Sequence, residues 1–429
     1  MQTNVINKVE ICGLSKFFTI GVLLLPILNQ YVLLVGSFLD LFMLISLTWH
    51  LIGSRKLHIR NKTLLLYFVY ALLVTLIMCS TYSGITASSL VLKIGRLSLI
   101  ILVFYLLGSL YFDFDCAYSI YTKIVYIIIA SVLIQYIMYV VVGTQTALII
   151  PNTTLNYMSK LSSNVIIGNK LTGRFYRPSS YFIEAAHQAE YVIPWIGLSL
   201  YKEDKNNSVK NIIRTLGVTV VLCIGASFTA LACCSLIWIV YIFHMLKKSN
   251  KSPKYFFLAI IMVLAIIAIV SYLLTIPSIQ HQIERKVSSY NDIDTTSSFT
   301  LRLLRGFYCF SDLDILHKVF GCGYNGYSYY YSHYGVVTRY IVDESHVSYM
   351  SGFFSALCDL GVVGICIYFS FLLPVAIKRT DGCSKILLFV LALLMICSDI
   401  FETPVYFIML LFIISNKYNN DNNAVRSAL

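Results

Sequence analysis

Long runs of apolar residues, separated by short polar or basic segments, recur from one end of the chain to the other. A run of about 20 apolar residues is what an α-helix needs to cross the hydrocarbon core of a membrane. Only 12% of the 429 residues are charged, which is about half the share found in soluble domains. These features predict an all-α polytopic membrane protein. They exclude cytosolic enzymes, nucleic-acid-binding proteins and disulfide-linked secreted domains.

The apolar runs predict twelve membrane-spanning helices, with the first one uncleaved and both chain termini in the cytoplasm. The predicted spans are 17–29, 31–52, 64–80, 90–112, 117–143, 181–201, 212–226, 229–245, 255–276, 351–375, 386–400 and 403–415. Cytoplasmic segments of membrane proteins are enriched in Lys and Arg. In this orientation every short basic segment of the chain lies on the cytoplasmic side, so the net charge of +12 indicates topology rather than nucleic-acid binding.

Two external segments, 144–180 and 276–350, are much longer than the other loops and carry all the external basic residues. Loops of this length in a compact protein are usually functional or disordered, and their many aromatic residues favour ordered structure. We expect residues 1–429 to form one transmembrane domain with these two large periplasmic loops. In the second loop, the apolar spacing predicts an amphipathic helix near 299–318 that lies on the membrane surface.

Three ionisable residues, Glu184, His187 and Glu190, lie where the chain enters the membrane after the first long loop. Their spacing of three places them on one helical face, and ionisable groups inside a span normally face a cavity or a partner. Arg174 and Arg177 come just before them. The group predicts either an ion-pair cluster that anchors the helix or the floor of a site that opens to the outside.

In the second long loop, Arg302 and Arg305 are one helical turn apart. Two guanidinium groups at this spacing could hold one anion together, since each matches phosphate oxygens in pairs. A solvated basic face that attracts lipid headgroups has the same spacing. His346, near the start of the following span, is a candidate general base because the ordinary histidine pKa is near the operating pH; a surface histidine is the alternative. The glycines of 320–326 predict a turn.

Lys93 and Arg96 are one turn apart near the outer end of the fourth predicted span. Long basic side chains at such positions usually extend to the membrane surface; the alternative is a contribution to a diphosphate site. Acidic Asp-x-Asp pairs, which hold divalent ions in many sugar transferases, occur at 113–115, 292–294 and 312–314. Because such pairs arise readily by chance in loops, and because the cysteines show no zinc-type spacing, we predict no metal site.

Three short motifs of the chain resemble the O-antigen polymerase (Wzy-type) family and, more distantly, the O-antigen ligases. They are Arg-Pro-Ser-Ser-Tyr-Phe-Ile-Glu-Ala-Ala-His at 177–187, the pair Arg302 and Arg305 followed by Phe-Gly-x-Gly at 320–323, and His346 before a helix with Gly361-Val-Val-Gly364. The first motif is close to the family pattern R-x-S-[FY]-F-x-E-P-x-H. It departs from that pattern at Ala185, where proline is usual.

The resemblance implies a GT-C-like membrane glycosyltransferase that inverts the sugar linkage and needs neither a metal nor another cofactor. It implies an O-antigen polymerase of the bacterial inner membrane, with undecaprenyl-diphosphate-linked oligosaccharide and membrane lipid as its partners, together with a chain-length regulator protein. Diphosphate is a good leaving group, so such an enzyme needs cations that bind it, a base for the attacking hydroxyl and alignment of two lipid-linked substrates.

The resemblance also suggests roles for the candidate residues. Arg302 and Arg305 would bind the diphosphate, and His346 would be the first candidate for the base, with Glu184 as the second candidate or as an orienting group. Arg177 and Arg174 would support the binding of the diphosphate, and further support for the site would come from His187, Lys93 and Arg96. Two alternative functions remain: an O-antigen ligase that transfers polysaccharide to lipid A core, and a polysaccharide flippase or transporter.

Overall fold

The computed structural model is built almost entirely of helices. It describes residues 2–31, 37–54, 62–143, 171–172, 175–202, 208–225, 227–249, 302, 304–336, 350–377 and 382–415, with isolated helical residues between 257 and 284. Within these residues the extended structure is a two-residue antiparallel pair, β1 (Leu171–Thr172) with β2 (Phe175–Tyr176). The all-α prediction is therefore confirmed for the described part of the chain.

The helices follow the apolar runs of the sequence. They are α1 (Gln2–Leu28), α2 (Phe38–Ser54), α3 (Lys62–Thr81), α4 (Ala87–Ile100), a π-helical turn (Ile101–Leu107), α5 (Gly108–Tyr111), α6 (Phe114–Val141), α7 (Ala185–Tyr201), α8 (Ser208–Ile224), α9 (Phe228–Ser249), α10 (Arg305–Ser311), α11 (Ile315–Phe320), α12 (Tyr327–Tyr334), α13 (Gly352–Ile377), α14 (Gly382–Cys397) and α15 (Pro404–Ser415). Most of the predicted span 255–276 and most of the loop 144–180 lie outside the described residues.

Several of these helices have the length and hydropathy of membrane spans. Among the described residues, five segments meet both requirements: Thr63–Thr81, Ala87–Tyr111, Phe114–Val141, Thr229–Lys247 and Gly352–Pro374. Shorter apolar helices occupy Gly13–Leu28, Phe38–Gly53, Gly382–Cys397 and Pro404–Ser415. The chain is therefore a helical membrane protein, and the number of twelve spans stays a prediction.

The chain forms two compact units, Met1–Ile120 with Thr295–Leu429, and Tyr121–Asp294. In the first unit, α15 is apolar on all sides, and its side chains from Val405 to Ile413 are buried, as expected for a helix without a polar face. The Phe104 and Phe407 rings stack 4.0 Å apart at its surface. Its start is encoded locally, because Thr403 accepts from the Tyr406 N–H and Pro404 fits the first helical position.

The second unit packs α7 against both α8 and α9. Nearly every side chain of α7 is buried, and polar groups inside it are paired. The Ser199 and Thr215 hydroxyl oxygens lie 2.7 Å apart, and the Trp195 indole N–H donates to Thr122 Oγ1. Buried polar groups need such partners, so α7 is fixed in the core of its unit rather than exposed to lipid.

Helix α13 is not a continuous helix, because its backbone is broken at Gly361 (φ 66°, ψ 178°). This backbone conformation is essentially restricted to glycine. The break interrupts the hydrogen-bond ladder inside a predicted span, where every backbone polar group needs a partner within the protein. The residues that supply those partners form part of the candidate site.

Candidate functional site

The residues predicted from the sequence to form a site divide between the two units. Lys93, Arg96, Arg302 and Arg305 belong to the first unit, whereas Arg177, Glu184 and His187 belong to the second. The predicted residues Arg174 and His346 lie outside the described residues.

In the second unit, Arg177 contacts the C-terminal end of one helix, and Glu184 lies at the N-terminal end of another. The Arg177 Nε–H donates to the Gly225 carbonyl oxygen at 3.2 Å, just beyond the C-terminus of α8, where positive charge is favourable. Glu184 is the N-cap residue of α7, in extended conformation, and its side chain makes no capping hydrogen bond. Ala185 is therefore the first helical residue, which is the helix position that proline tolerates best.

His187 and Glu190 form a pair on α7. His187 Nδ1 lies 3.2 Å from Glu190 Oε2, with the Glu190 side chain only 7% exposed and that of His187 45% exposed. This contact agrees with the ion-pair interpretation of the sequence for these two residues. It also gives the buried Glu190 carboxylate a hydrogen-bond donor, which a carboxylate in an apolar helix requires.

In the first unit, Arg302 and Arg305 are both buried, at 9% and 2% exposure, so they do not form a solvated basic face. Arg302 Nη1 donates to the Cys397 carbonyl oxygen at 3.0 Å and to Ser398 Oγ at 2.9 Å. The positive charge of Arg302 thus lies at the C-terminus of α14, where it complements the helix dipole. The predicted helix near 299–318 contains helical residues at 302 and 304, α10 and the start of α11.

The glycine-rich segment 320–326 is a turn between α11 and α12, as the sequence predicts. Gly321 has a φ of +88° and packs directly against the broken backbone of α13. A Cβ atom added at Gly361 would lie 2.4 Å from the Gly321 nitrogen, and one added at Gly321 would lie 2.3 Å from the Asp359 carbonyl oxygen. Only glycine at both positions allows this backbone contact.

Three carbonyl groups released by the break in α13 find new donors. The Cys358 oxygen accepts from the Cys322 N–H at 2.8 Å, and the Asp359 oxygen accepts from the Gly323 N–H at 3.0 Å. The Tyr70 hydroxyl lies 2.8 Å from the Leu360 oxygen and 2.9 Å from the Phe320 oxygen; because it has a single proton, it donates to one at a time.

The Asp359 side chain is the first functional candidate that sequence reasoning missed. Its Oδ2 atom accepts from the Asn325 N–H at 3.0 Å, and it is 7% exposed. The Lys93 ammonium donates to the carbonyl oxygens of Tyr324 and Asn325 at 3.2 and 2.8 Å and lies over the Tyr329 ring. An acidic residue within a predicted span is itself a signal for function, and Asp359 carries that signal.

Glu402 is the second missed candidate, and it lies in the turn between α14 and α15. Its φ of 55° is unusual for a residue with a side chain and marks local strain. The half-buried Glu402 carboxylate is electrostatically coupled to Asp359 and Arg96 and lies near the Tyr67 hydroxyl. Its signal in the sequence is weak, because a Glu between two apolar runs looks like an ordinary loop residue.

We call Tyr67, Lys93, Arg96, Asp359 and Glu402 the Asp359 cluster. Arg96 is also engaged outside it, since its Nε lies 3.4 Å from the Asp40 carboxylate. With Asp40 and Asp399 included, four carboxyl groups lie around two cations. The surroundings of the cluster are thus acidic rather than basic.

Asp314 illustrates why the Asp-x-Asp pairs are not evidence for a metal site. It is the N-cap of α11 and accepts from the His317 N–H at 2.8 Å. Partial burial raises the pKa of its carboxyl, but the hydrogen bonds from His317 outweigh burial and lower the pKa below the ordinary value of 3.8. Asp113 likewise accepts from the Cys116 N–H at the start of α6, and 292–294 lies outside the described residues.

No protein-family model matches this chain, and no curated protein is significantly similar to it.

Proposed function

We propose that this protein is an O-antigen polymerase, a GT-C-like glycosyltransferase with twelve spans and both termini in the cytoplasm of a bacterium. In this proposal it transfers a growing polysaccharide from undecaprenyl diphosphate onto a lipid-linked repeat unit. The reaction occurs at the periplasmic face of the inner membrane, inverts the sugar linkage and uses no metal.

The observation that carries the proposal is the contact between two motifs of the resemblance that are far apart in the sequence. The Phe-Gly-x-Gly motif at 320–323 packs through Gly321 onto Gly361 of the Gly361-Val-Val-Gly364 motif. The Arg302 carbonyl oxygen also accepts from the Ser351 N–H at the start of α13. Motifs that were identified separately therefore belong to one packed unit, as expected if they serve one site.

The proposed chemistry needs cations at the leaving group. The acceptor hydroxyl attacks the anomeric carbon, and the bond from that carbon to the diphosphate oxygen breaks. Arg302 and Arg305 would stabilise the negative charge that develops on the diphosphate. Both are buried, and electrostatic interactions are stronger where water is excluded. The bonds from Arg302 to Cys397 and Ser398 hold its guanidinium in one orientation, which lowers the cost of binding.

The first test replaces Arg302 and Arg305 one at a time by Ala in a strain that lacks the native chain. We expect lipopolysaccharide with a single repeat in place of a long ladder on gels. Arg214→Ala, on an exposed position of α8, is the matched control and should give a normal ladder. Membrane abundance of each variant is measured in parallel. Wild-type ladders from both variants would remove these two roles.

Arg302 needs a further variant, because its contacts with α14 could alone explain its burial. Arg302→Lys retains a donor and a positive charge at the helix end but loses the planar pair of donors that matches phosphate. If Arg302 binds diphosphate, the Lys variant should retain its thermal stability and lose the ladder. A purely structural role predicts the opposite, a normal ladder whenever the protein is folded.

The deletion strain itself separates the proposed activity from its alternatives. Core bearing a single repeat indicates a polymerase, whereas bare core indicates a ligase or a flippase. Purified protein supplied with lipid-linked repeats and with lipid A core then separates the last two, because only a ligase would modify the core.

A further inference from the structure

The charge of the Asp359 cluster does not suit a diphosphate. Lys93 donates to two backbone carbonyl oxygens, and Arg96 is paired with Asp40. The carboxylates of Asp359 and Glu402 would repel a dianion. A neutral ligand rich in hydroxyl groups fits better, because ionised carboxylates only accept hydrogen bonds and each hydroxyl can donate one.

The Tyr67 hydroxyl gives a second indication of a ligand. Its residue is 0% exposed; the hydroxyl contacts the Glu402 side chain, but it makes no hydrogen bond of ordinary geometry with any described residue. Buried hydroxyl groups are nearly always hydrogen-bonded. Such a group beside the strained Glu402 is typical of a site whose partner arrives from outside the protein.

Aromatic residues border the cluster on the side of the glycine-rich turn. Tyr324 is half-buried and is held through its backbone, since its N–H donates to Thr75 Oγ1 and its carbonyl accepts from Lys93. Tyr329 lies against the Lys93 ammonium. Flat apolar ring faces next to carboxylates are suited to a sugar, which has an apolar ring face and a hydroxyl rim.

From these observations we propose that the Asp359 cluster binds the acceptor sugar and that Glu402 is the catalytic residue that removes the proton from its attacking hydroxyl. The inference rests on the proposed glycosyl transfer. The acceptor O–H gives its proton to the Glu402 carboxylate while the oxygen forms a bond with the anomeric carbon. The carbon–oxygen bond to the lipid diphosphate breaks, and its electron pair leaves with the diphosphate. Glu402 then releases the proton to water.

The cations of the cluster have a different role in this proposal from the one predicted from the sequence. Lys93 and Arg96 are not diphosphate ligands here. They are counter-charges that favour the ionised form of Asp359 and Glu402 against the effect of the apolar surrounding, as opposite charges nearby do for buried carboxyl groups.

The experiment uses the full-length protein in detergent, with undecaprenyl-diphosphate-linked polysaccharide as donor and a fluorescent repeat unit as acceptor. Glu402→Gln should lower kcat by about 10²- to 10⁴-fold, which is the usual contribution of a general base, and should leave donor binding within a few-fold of wild type. Glu402→Asp keeps the carboxylate and should recover part of the rate. Tyr67→Phe should raise the acceptor KM or lower kcat about tenfold. Asp312→Asn changes an exposed carboxylate of the second long loop, 276–350, and should match wild type.

Each outcome decides between the two proposals. Normal kcat in Glu402→Gln overturns the assignment of Glu402 and leaves the proposed function standing. A wild-type protein that transfers no sugar removes both proposals. If His346→Asn loses transfer while Glu402→Gln keeps it, the base is His346 and the inference is wrong. If Glu402→Gln does not fold, Tyr67→Phe decides, and unchanged acceptor kinetics in that variant overturn the acceptor site.

Discussion

Replacing Gly361 by Ala tests the structural centre of the candidate site. An alanine there would have to adopt a φ of 66° with a ψ of 178°, at a strain of about 1–3 kcal/mol. Its Cβ would also lie 2.4 to 2.5 Å from backbone atoms of Gly321, Phe320 and Val319. Since these are backbone atoms rather than ends of flexible side chains, the turn has to separate from α13.

The size of the effect follows from the hydrogen bonds that such a separation breaks. Two backbone bonds to the Cys358 and Asp359 oxygens and the Tyr70 bond to Leu360 are lost, each worth about 0.5–1.5 kcal/mol net. Together with the strain, the free energy of unfolding should fall by about 3–7 kcal/mol. This is a large fraction of the 5–15 kcal/mol that is typical of folded domains.

Thermal unfolding of the purified protein in detergent measures this change, with denaturant titration as the second readout. Gly95→Ala is the matched control, because Gly95 is helical and a Cβ added there meets nothing within 4 Å. Alanine is the better helix former by about 1 kcal/mol, so the control should be neutral or stabilising. A Gly361→Ala protein that unfolds like wild type would refute the broken helix and the packed turn.

Three further predictions concern single side chains. Ala185→Pro should stabilise the protein by about 0.5–1 kcal/mol, because Glu184 already has the extended backbone that precedes proline (φ −130°, ψ 149°); a lower melting temperature would contradict this. Asp314→Asn keeps the cap but removes the charge that faces His317. Because the Asp314 pKa is lowered in the folded protein, the charge stabilises the folded protein at neutral pH. The effect is less than about 1 kcal/mol because the Asp314 side chain is half-exposed, and it is lost as the pH falls below 3.8; equal wild-type and variant stabilities at pH 7 would refute it. Tyr70→Phe removes the one donor that the Leu360 and Phe320 carbonyl oxygens share and should cost about 1–3 kcal/mol in the same unfolding assay, and a neutral result would show that neither group depends on Tyr70.

Hydropathy alone predicted the helices, because in a membrane the backbone must satisfy its own hydrogen bonds and an apolar run has few alternatives to a helix. The turn at 320–326 was also predictable, since its glycines adopt conformations that other residues avoid. The break at Gly361 was not, because one glycine in an apolar run resembles any other glycine of a helix. Gly361 differs from other helical glycines because Gly321 packs against it, and the two residues are far apart in the sequence.

The candidate site shows the same limit. Lys93 and Arg96 were identified as ionisable residues in a span, but their partners, Asp359 and Asp40, come from other helices. Glu402 became a candidate only through its neighbour Tyr67, which lies in α3, far from it in the sequence. A sequence pattern can identify a charged residue whose burial is energetically costly. The groups that compensate its charge are brought next to it by tertiary packing.

Burial of an arginine does not by itself indicate a bound anion. Arg177 and Arg302 both donate to carbonyl oxygens at the C-terminal ends of helices, where the helix dipole already supplies negative charge. An arginine in this position is stabilised before any phosphate binds. Diphosphate binding differs from this structural role in its use of the planar donor pair of the guanidinium group, beyond its charge. The Asp359 cluster differs from these arginines, because its polar groups are not all satisfied within the described part of the protein. Tyr67 makes no ordinary hydrogen bond with any described residue, and an incoming hydroxyl would supply one.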